Sequence, residues 1–256
     1  MESIWLRPER SARGPVPEHS RAEIARAAVT LADQGGLAAV TMRSVAAAIG
    51  TGPASLYRYV STRAEILELM ADEAAGEYQF GPAAPQAQET AQETAQETAL
   101  HGLLQLARQA RRIFQRHPWL IDLPSVGGLP GPNAIAFTEQ VLAILNSTEL
   151  TSRARLETVG IFTGLVRLLA RTEIDQQRAG QQLADWQGAL AGYLVAAVSD
   201  GQHPYLAAAL AGQASGTAAS GAASGRAGTD DDLFDRALTR ILPGLLAPPE
   251  SQPHRQ

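Results

Sequence analysis

Apolar residues recur at helical spacing through most of the chain, and the first run sets the pattern. Ile24, Ala27, Ala28 and Leu31 fall on one face of a helix. Ser20 stands where an N-cap is expected, Glu23 three places on completes a capping box, and Gly35-Gly36 is the stop. After Thr41, a second cap, Met42, Val45, Ala46 and Ile49 repeat the spacing; Gly50 ends that helix and Thr51-Gly52 make a short turn. Pro53 suits the first position of a third helix, because the N–H it lacks would have no intrahelical partner there. Leu56 and Val60 are the buried side of that helix. Ser61 or Thr62 caps a fourth, carrying Ile66, Leu67, Met70 and Ala74.

Gly81-Pro82 and Pro85 then break the chain, and the tetrapeptide Gln-Glu-Thr-Ala runs three times from Gln88 to Ala99. A four-residue period overshoots the helical turn, and Glu89, Glu93 and Glu97 repel one another at that spacing. The repeat is therefore expected to be solvated and dispensable. It stands at the start of a helix with Leu100, Leu103, Leu104, Ala107, Ala110 and Phe114 on one face, closed by His117-Pro118-Trp119. Asn133 is the expected cap of the next helix, with Phe137, Val141, Ile144 and Leu145. Thr151 or Ser152 caps a longer one, Arg153 to about Glu173, whose two apolar stripes imply packing on two sides. Helices near Gln181–Val198 and Pro204–Leu210 follow. Gly212–Gly228 is an Ala/Ser/Gly-rich segment with too little apolar content to order. The last helix, Asp231–Leu246, has a broad apolar face.

No strand pattern occurs, so the expected fold is all-α. A flexible basic arm (1–19) precedes a three-helix domain with a helix-turn-helix (20–66). A helical domain (67–247) follows, with low-complexity inserts at 86–99 and 212–228, and then a tail (248–256).

Charge changes the picture. The 256-residue chain carries a net −5, yet residues 1–63 hold eight Arg against five acids. A basic head on an acidic body suits a protein that meets phosphate only with its head. There is no Cys, which excludes disulfides and thiol chemistry. His19, His101, His117, His203 and His254 are not at metal-ligand spacing. No nucleophile motif or Gly-rich phosphate loop is present, so neither an enzyme nor a cofactor is expected. No apolar run reaches membrane-span or signal-peptide length, and the expected location is cytoplasmic.

Function concentrates between Thr41 and Arg63. In a helix-turn-helix the second helix enters the major groove while the first spans it. With Leu56 and Val60 buried, Pro53, Ala54, Ser55, Tyr57 and Arg58 face outward and Tyr59 lies at the flank. Small Ala54 and Ser55 allow close approach to base edges. Arg58 can reach guanine or a phosphate, and both tyrosines offer hydroxyls to phosphates. Thr41, Arg43 and Arg63 sit near helix N-termini, where free N–H groups favour phosphate.

The run Thr41-Met-Arg-Ser-Val-Ala-Ala-Ala-Ile-Gly-Thr-Gly-Pro-Ala-Ser-Leu-Tyr-Arg-Tyr-Val60 resembles the DNA-binding domain of the TetR family of repressors. Trp5-Leu-Arg-Pro and Arg13-Gly-Pro resemble the leader of actinobacterial members. Arg116-His-Pro-Trp119, Gly131-Pro-Asn133, Phe137-x-Glu139 and Leu233-Phe-Asp-Arg-Ala-Leu238 resemble a tetracycline-repressor-type C-terminal domain. The resemblance implies an all-helical homodimer that binds a palindromic operator in double-stranded DNA. A small-molecule effector in the C-terminal domain would release it. The family's DNA contacts carry over to Arg43, Ser55, Tyr57, Tyr59 and Arg63; the family often has His where Tyr59 stands. Phe114, Trp119, Phe137, Phe162 and Trp186 are candidate ligand-lining residues, and Arg167 and Glu173 are candidates to orient a ligand. The alternative is an architectural or partner-binding helical DNA-binding protein without a small-molecule ligand.

Overall fold

The computed structural model describes residues 3–8, 18–80, 94–123, 129–199, 201–211 and 231–247. Helix ends follow local chemistry. Ser20 Oγ accepts the Glu23 N–H at 3.1 Å to start α1 (Arg21–Gly35), and Gly36, at φ +66°, turns the chain into a short 3-10 segment, Leu37–Ala39. The reciprocal half of the expected capping box does not form, because the Glu23 carboxylate faces His19 Nδ1 at 3.2 Å. Thr41 and Ser44 do cap each other reciprocally at α2 (Met42–Ala48). Pro53 opens α3 (Pro53–Leu56), and Thr62 rather than Ser61 caps α4 (Arg63–Ala75).

Thr94 and Glu97 form a capping box at α5 (Ala95–Arg116), and Ala99 is buried. The last unit of the repeat is thus the start of a helix, as expected, but it is not wholly solvated, since Ala99 is buried. A 3-10 segment, Pro118–Asp122, leads out of α5. Helix α6 (Pro132–Leu145) is capped by Gly131 with Pro132 in its first turn, not by Asn133 as expected. The reason is a distant carboxylate: Asp72 of α4 accepts the backbone N–H groups of Asn133 and Ala134 at 3.3 and 3.0 Å. Asn133 instead turns its Nδ2 to the Asp72 carbonyl at 2.9 Å.

The two helices expected at 153–173 and 181–198 are one helical run, α7 (Ser152–Val198), broken at Gly180 (φ 49°, ψ −124°). Nothing between Glu173 and Ala179 stops a helix, since that stretch lacks both Gly and Pro. Thr151 is its cap. Helices α8 (204–211) and α9 (Asp231–Leu246) follow, and no strand occurs among the described residues. The segment 212–228 and the tail 248–256 lie outside the described residues.

Two compact units divide the chain, Met1–Arg171 with Asp235–Gln256 and Thr172–Phe234. The first holds a core of Ile24, Ala28, Val45, Leu56, Val60, Ile66 and Met70, all fully buried. Each of these side chains other than Ala28 contributes about 1.5–3 kcal/mol by leaving water. Helix α4 packs on both α1 and α6, and α5 packs on α6. At the α5–α6 contact, Gly102 lets the backbones approach: a Cβ there would meet Ile144 at 3.2 Å. Helix α9 is tied to α5 by Arg108–Asp235 at 3.0 Å and by Gln96 Nε2 on the Leu246 carbonyl at 3.3 Å. In the second unit Trp186, Tyr193 and Tyr205 are exposed.

The leader departs from its expected role as a flexible arm. Ile4 is fully buried in the head core, and Arg21 of α1 donates to the Ile4 and Arg7 carbonyls at 2.7 and 2.9 Å. Residues 9–17 lie outside the described residues.

Candidate nucleic-acid interface

Leu56 and Val60, both fully buried, fix α3 and the turn after it in the head core, where α3 packs on α2. That anchoring determines what faces outward. Pro53, Ala54, Tyr57 and Arg58 are exposed, and Ser55 is half-buried. Tyr57 exposes 55% of its surface, a large fraction for an aromatic side chain. Arg43 is exposed on the first turn of α2. Together they form a small-residue floor (Pro53, Ala54) beside hydroxyl and guanidinium donors.

The remaining candidates carry a second duty. The Thr41 hydroxyl is exposed but engaged as a cap, at 3.0 Å from the Ser44 N–H and 2.9 Å from the Ser44 hydroxyl. Tyr59 is half-buried against the head core, with its ring edge-on to His19 at a centroid distance of 6.1 Å. Arg63 donates from Nε to the Val40 carbonyl at 2.7 Å and from Nη2 to the Leu37 carbonyl at 2.6 Å. Its guanidinium thereby holds the chain that enters α2.

The ligand candidates are less gathered. Phe114 is half-buried on α5, Phe162 is buried on α7, and Trp186 is exposed in the second unit. Phe137 on α6 packs on Tyr78 at 4.6 Å, where burial pushes the Tyr78 phenol well above its ordinary range. Trp119 belongs to the head core and donates from Nε1 to Asp33 Oδ1 at 2.7 Å. Arg167 spends one terminal nitrogen on the Ile121 and Leu123 carbonyls at 3.1 and 2.7 Å. Glu173 is buried at the start of the second unit.

Two arrangements were not foreseen from sequence. The buried His117 ring lies between Asp33 of α1, 2.7 Å from Nδ1, and Glu77 beyond α4, 2.9 Å from Nε2. Arg116 holds the other Glu77 oxygen at 2.6 Å. The leader's Arg7 reaches Ser61 Oγ at 2.8 Å and pairs with the buried Glu65 of α4. The sequence signal was the resemblance of His117 and Trp5 to family motifs, which carries no partner information.

Among the described residues no helix is long and apolar enough to cross a membrane, and no group of three or more His, Asp or Glu side chains is placed to hold a metal ion. A helix-turn-helix with an outward tyrosine and arginine, mounted on a larger helical body, defines a DNA-binding transcriptional regulator. Residues 24–70 match the family model of bacterial regulatory proteins, tetR family, and residues 93–248 match that of the tetracyclin repressor-like C-terminal domain. The chain belongs to the TetR family and is a transcriptional repressor, not an enzyme. It is 30% identical over 249 residues to the HTH-type transcriptional repressor DrrR1 of Streptomyces coeruleorubidus, covering 96% of this chain and 84% of the relative. ActR of Streptomyces coelicolor, solved in complex with (S)-DNPA, shares 25% identity at a TM-score of 0.66, covering 91% of this chain and 98% of that one. Its complex with actinorhodin superposes at a TM-score of 0.71 with 24% identity, over 91% of this chain and 97% of that one.

Proposed function

We propose that the protein acts as a homodimer on a two-fold symmetric operator and is released from it by a small molecule bound in the helical body. The outward face of α3, fixed from behind by Leu56 and Val60, is the observation that carries the DNA half. On this reading Ala54, Ser55 and Arg58 meet base edges at the floor set by Pro53. Thr41, Arg43, Tyr57, Tyr59 and Arg63 meet phosphates. The two recognition helices enter major grooves about 34–36 Å apart.

Support for the dimer comes from α7 within the first unit. Leu156, Ile161 and Leu168 leave 59%, 50% and 60% of their surfaces exposed, and Ile241 of α9 leaves 41%. Gly160 and Gly164 lie on the same exposed stretch, with open space where a Cβ would be. Large apolar residues beside two bare backbone positions suit a close, two-fold helix pairing. Support for the effector comes from ActR, solved with (S)-DNPA and with actinorhodin. By the same reading Phe114, Phe137 and Phe162 contribute apolar surface to the ligand site.

The test uses a duplex selected by the protein from a randomised pool. Light scattering at micromolar concentration is expected to show a dimer, and anisotropy a bound duplex. Actinorhodin serves as the first small molecule for release. A monomer at that concentration, or failure to select any duplex, overturns the reading.

A further inference from the structure

The leader does more than cover the head. Within six residues it touches α1, α4 and the entry to α6. Ile4 is fully buried in the head core, and Arg21 of α1 grips the carbonyls on either side of Trp5. Arg7 clasps Ser61 and Glu65, and Glu65 in turn accepts the Ser61 N–H at 2.7 Å. Trp5 reaches the other way. A Cβ on Gly131 would lie 2.6 Å from Trp5 Cζ2 and 2.4 Å from Asp72 Cγ, so the indole, the α4 carboxylate and the α6 cap meet at one point. Trp5 Nε1 is buried there without a hydrogen-bond partner. The ring is held by packing, against its own polar preference.

At that same point Asp72 supplies both oxygens to the first N–H groups of α6. Helix α4 therefore carries two loads: it supports the helix-turn-helix through α1, and it caps the first helix after the loop of the body. A shift of α4 larger than these hydrogen bonds can absorb must either break the Asp72 cap or move α6 with it, since packed junctions are not continuously deformable.

We propose that residues 3–8 form a strap that holds α4 in register with α6, with Trp5 and Asp72 as positioning residues for communication between the DNA-reading head and the helical body. The proposal rests on the reading above that the body controls the head. Communication is reciprocal by thermodynamic necessity: whatever the body does to the head, DNA on the head must do to the body. DNA alone therefore tests it, without an identified effector.

The experiment is hydrogen exchange on the full chain at the amides of Asn133 and Ala134, with and without the selected duplex. In the wild type the duplex slows their exchange, by at most the roughly 5–150-fold by which coupled sites change one another's affinity. Trp5→Ala still binds the duplex but loses the slowing. Trp5→Phe, which lacks the Cζ2 edge that meets Asp72 and Gly131, weakens it. Arg7→Ala, which leaves Ile4 and Trp5 in place and takes the cation from the buried Glu65, weakens the slowing and carries the test should Trp5→Ala fail to fold. The strap is overturned if Trp5→Ala and Arg7→Ala transmit as the wild type does, or if the wild type shows no slowing while it binds the duplex. Failure to select a duplex at all overturns the regulator reading instead, and takes the strap with it.

Discussion

Replacing Arg63 separates a structural duty from an electrostatic one. Its Nε–H and an Nη2–H end on the Val40 and Leu37 carbonyls at 2.7 and 2.6 Å, stitching the chain before α2 to the first turn of α4. A hydrogen bond from a charged donor contributes about 1.5–3 kcal/mol when shielded. Arg63 is exposed, so the pair together is worth about 2 kcal/mol. For a chain of this size that amounts to roughly 4–8 °C in Tm. Arg63→Ala is therefore expected to melt lower by that amount and to bind the selected duplex more weakly. Arg63→Lys keeps the charge but has no planar fork to span two carbonyls. It should recover the salt dependence of binding and leave most of the Tm loss in place. If the Arg63 charge also meets a phosphate, the slope of log affinity against log salt falls in Arg63→Ala by about 0.9 per contact. Calorimetry and salt-series anisotropy read the two effects apart. An Arg63→Ala protein with wild-type Tm, or an Arg63→Lys protein with Tm fully restored, refutes the stitching argument.

Arg58→Ala is expected to cost about 1–3 kcal/mol and to relax base preference at one position per half-site, read by competition between single-substitution duplexes. Leu168→Glu, placing a charge on a side chain now 60% exposed and apolar, is expected to give a folded monomer by light scattering. His117→Ala should cost about 2–4 kcal/mol in urea unfolding, since the buried ring links Asp33 to Glu77; both acids keep one other partner, Trp119 and Arg116. Glu68 is raised in pKa by burial and by the neighbouring Glu65 carboxylate, and its Oε2 has no hydrogen-bond partner. Its ionised form then costs stability above its titration and nothing once the carboxyl is protonated in both folded and unfolded chains. Glu68→Gln should stabilise at neutral pH, and the gain should disappear in acid.

Thr41, Pro53, Leu56 and Val60 could be placed from sequence because each acts through neighbours within a turn or two. A cap reads its own N–H groups, and an apolar face reads its own period. The cap of α6 could not be placed that way. Asn133 has the right chemistry for the position, but Asp72, 61 residues earlier, supplies the carboxylate and lets Gly131 and Pro132 take the entry. The leader failed for the same reason. Pro8, Gly14 and Pro15 read as a tail, and nothing local announces that Arg7 will find Ser61 and Glu65, 54 and 58 residues on. Arg63 shows a subtler limit: its position was legible, but its carbonyl partners depend on where the Leu37–Ala39 turn folds back.

The capping box at α5 is built from a repeated word. Thr94 and Glu97 cap the helix, and Thr90 and Glu93 stand one unit upstream at the same separation. Repeats of this kind lengthen and shorten by whole units when DNA is copied. Losing one unit would bring the upstream Thr and Glu into the vacated places, with an alanine again at the buried position now held by Ala99. The start signal of α5 thus restores itself after each such slip, and only the length of the connection from α4 changes, four residues at a time. A frame of four that fits the helical turn poorly is, for that reason, well suited to heredity: copying errors there vary the tether and spare the fold.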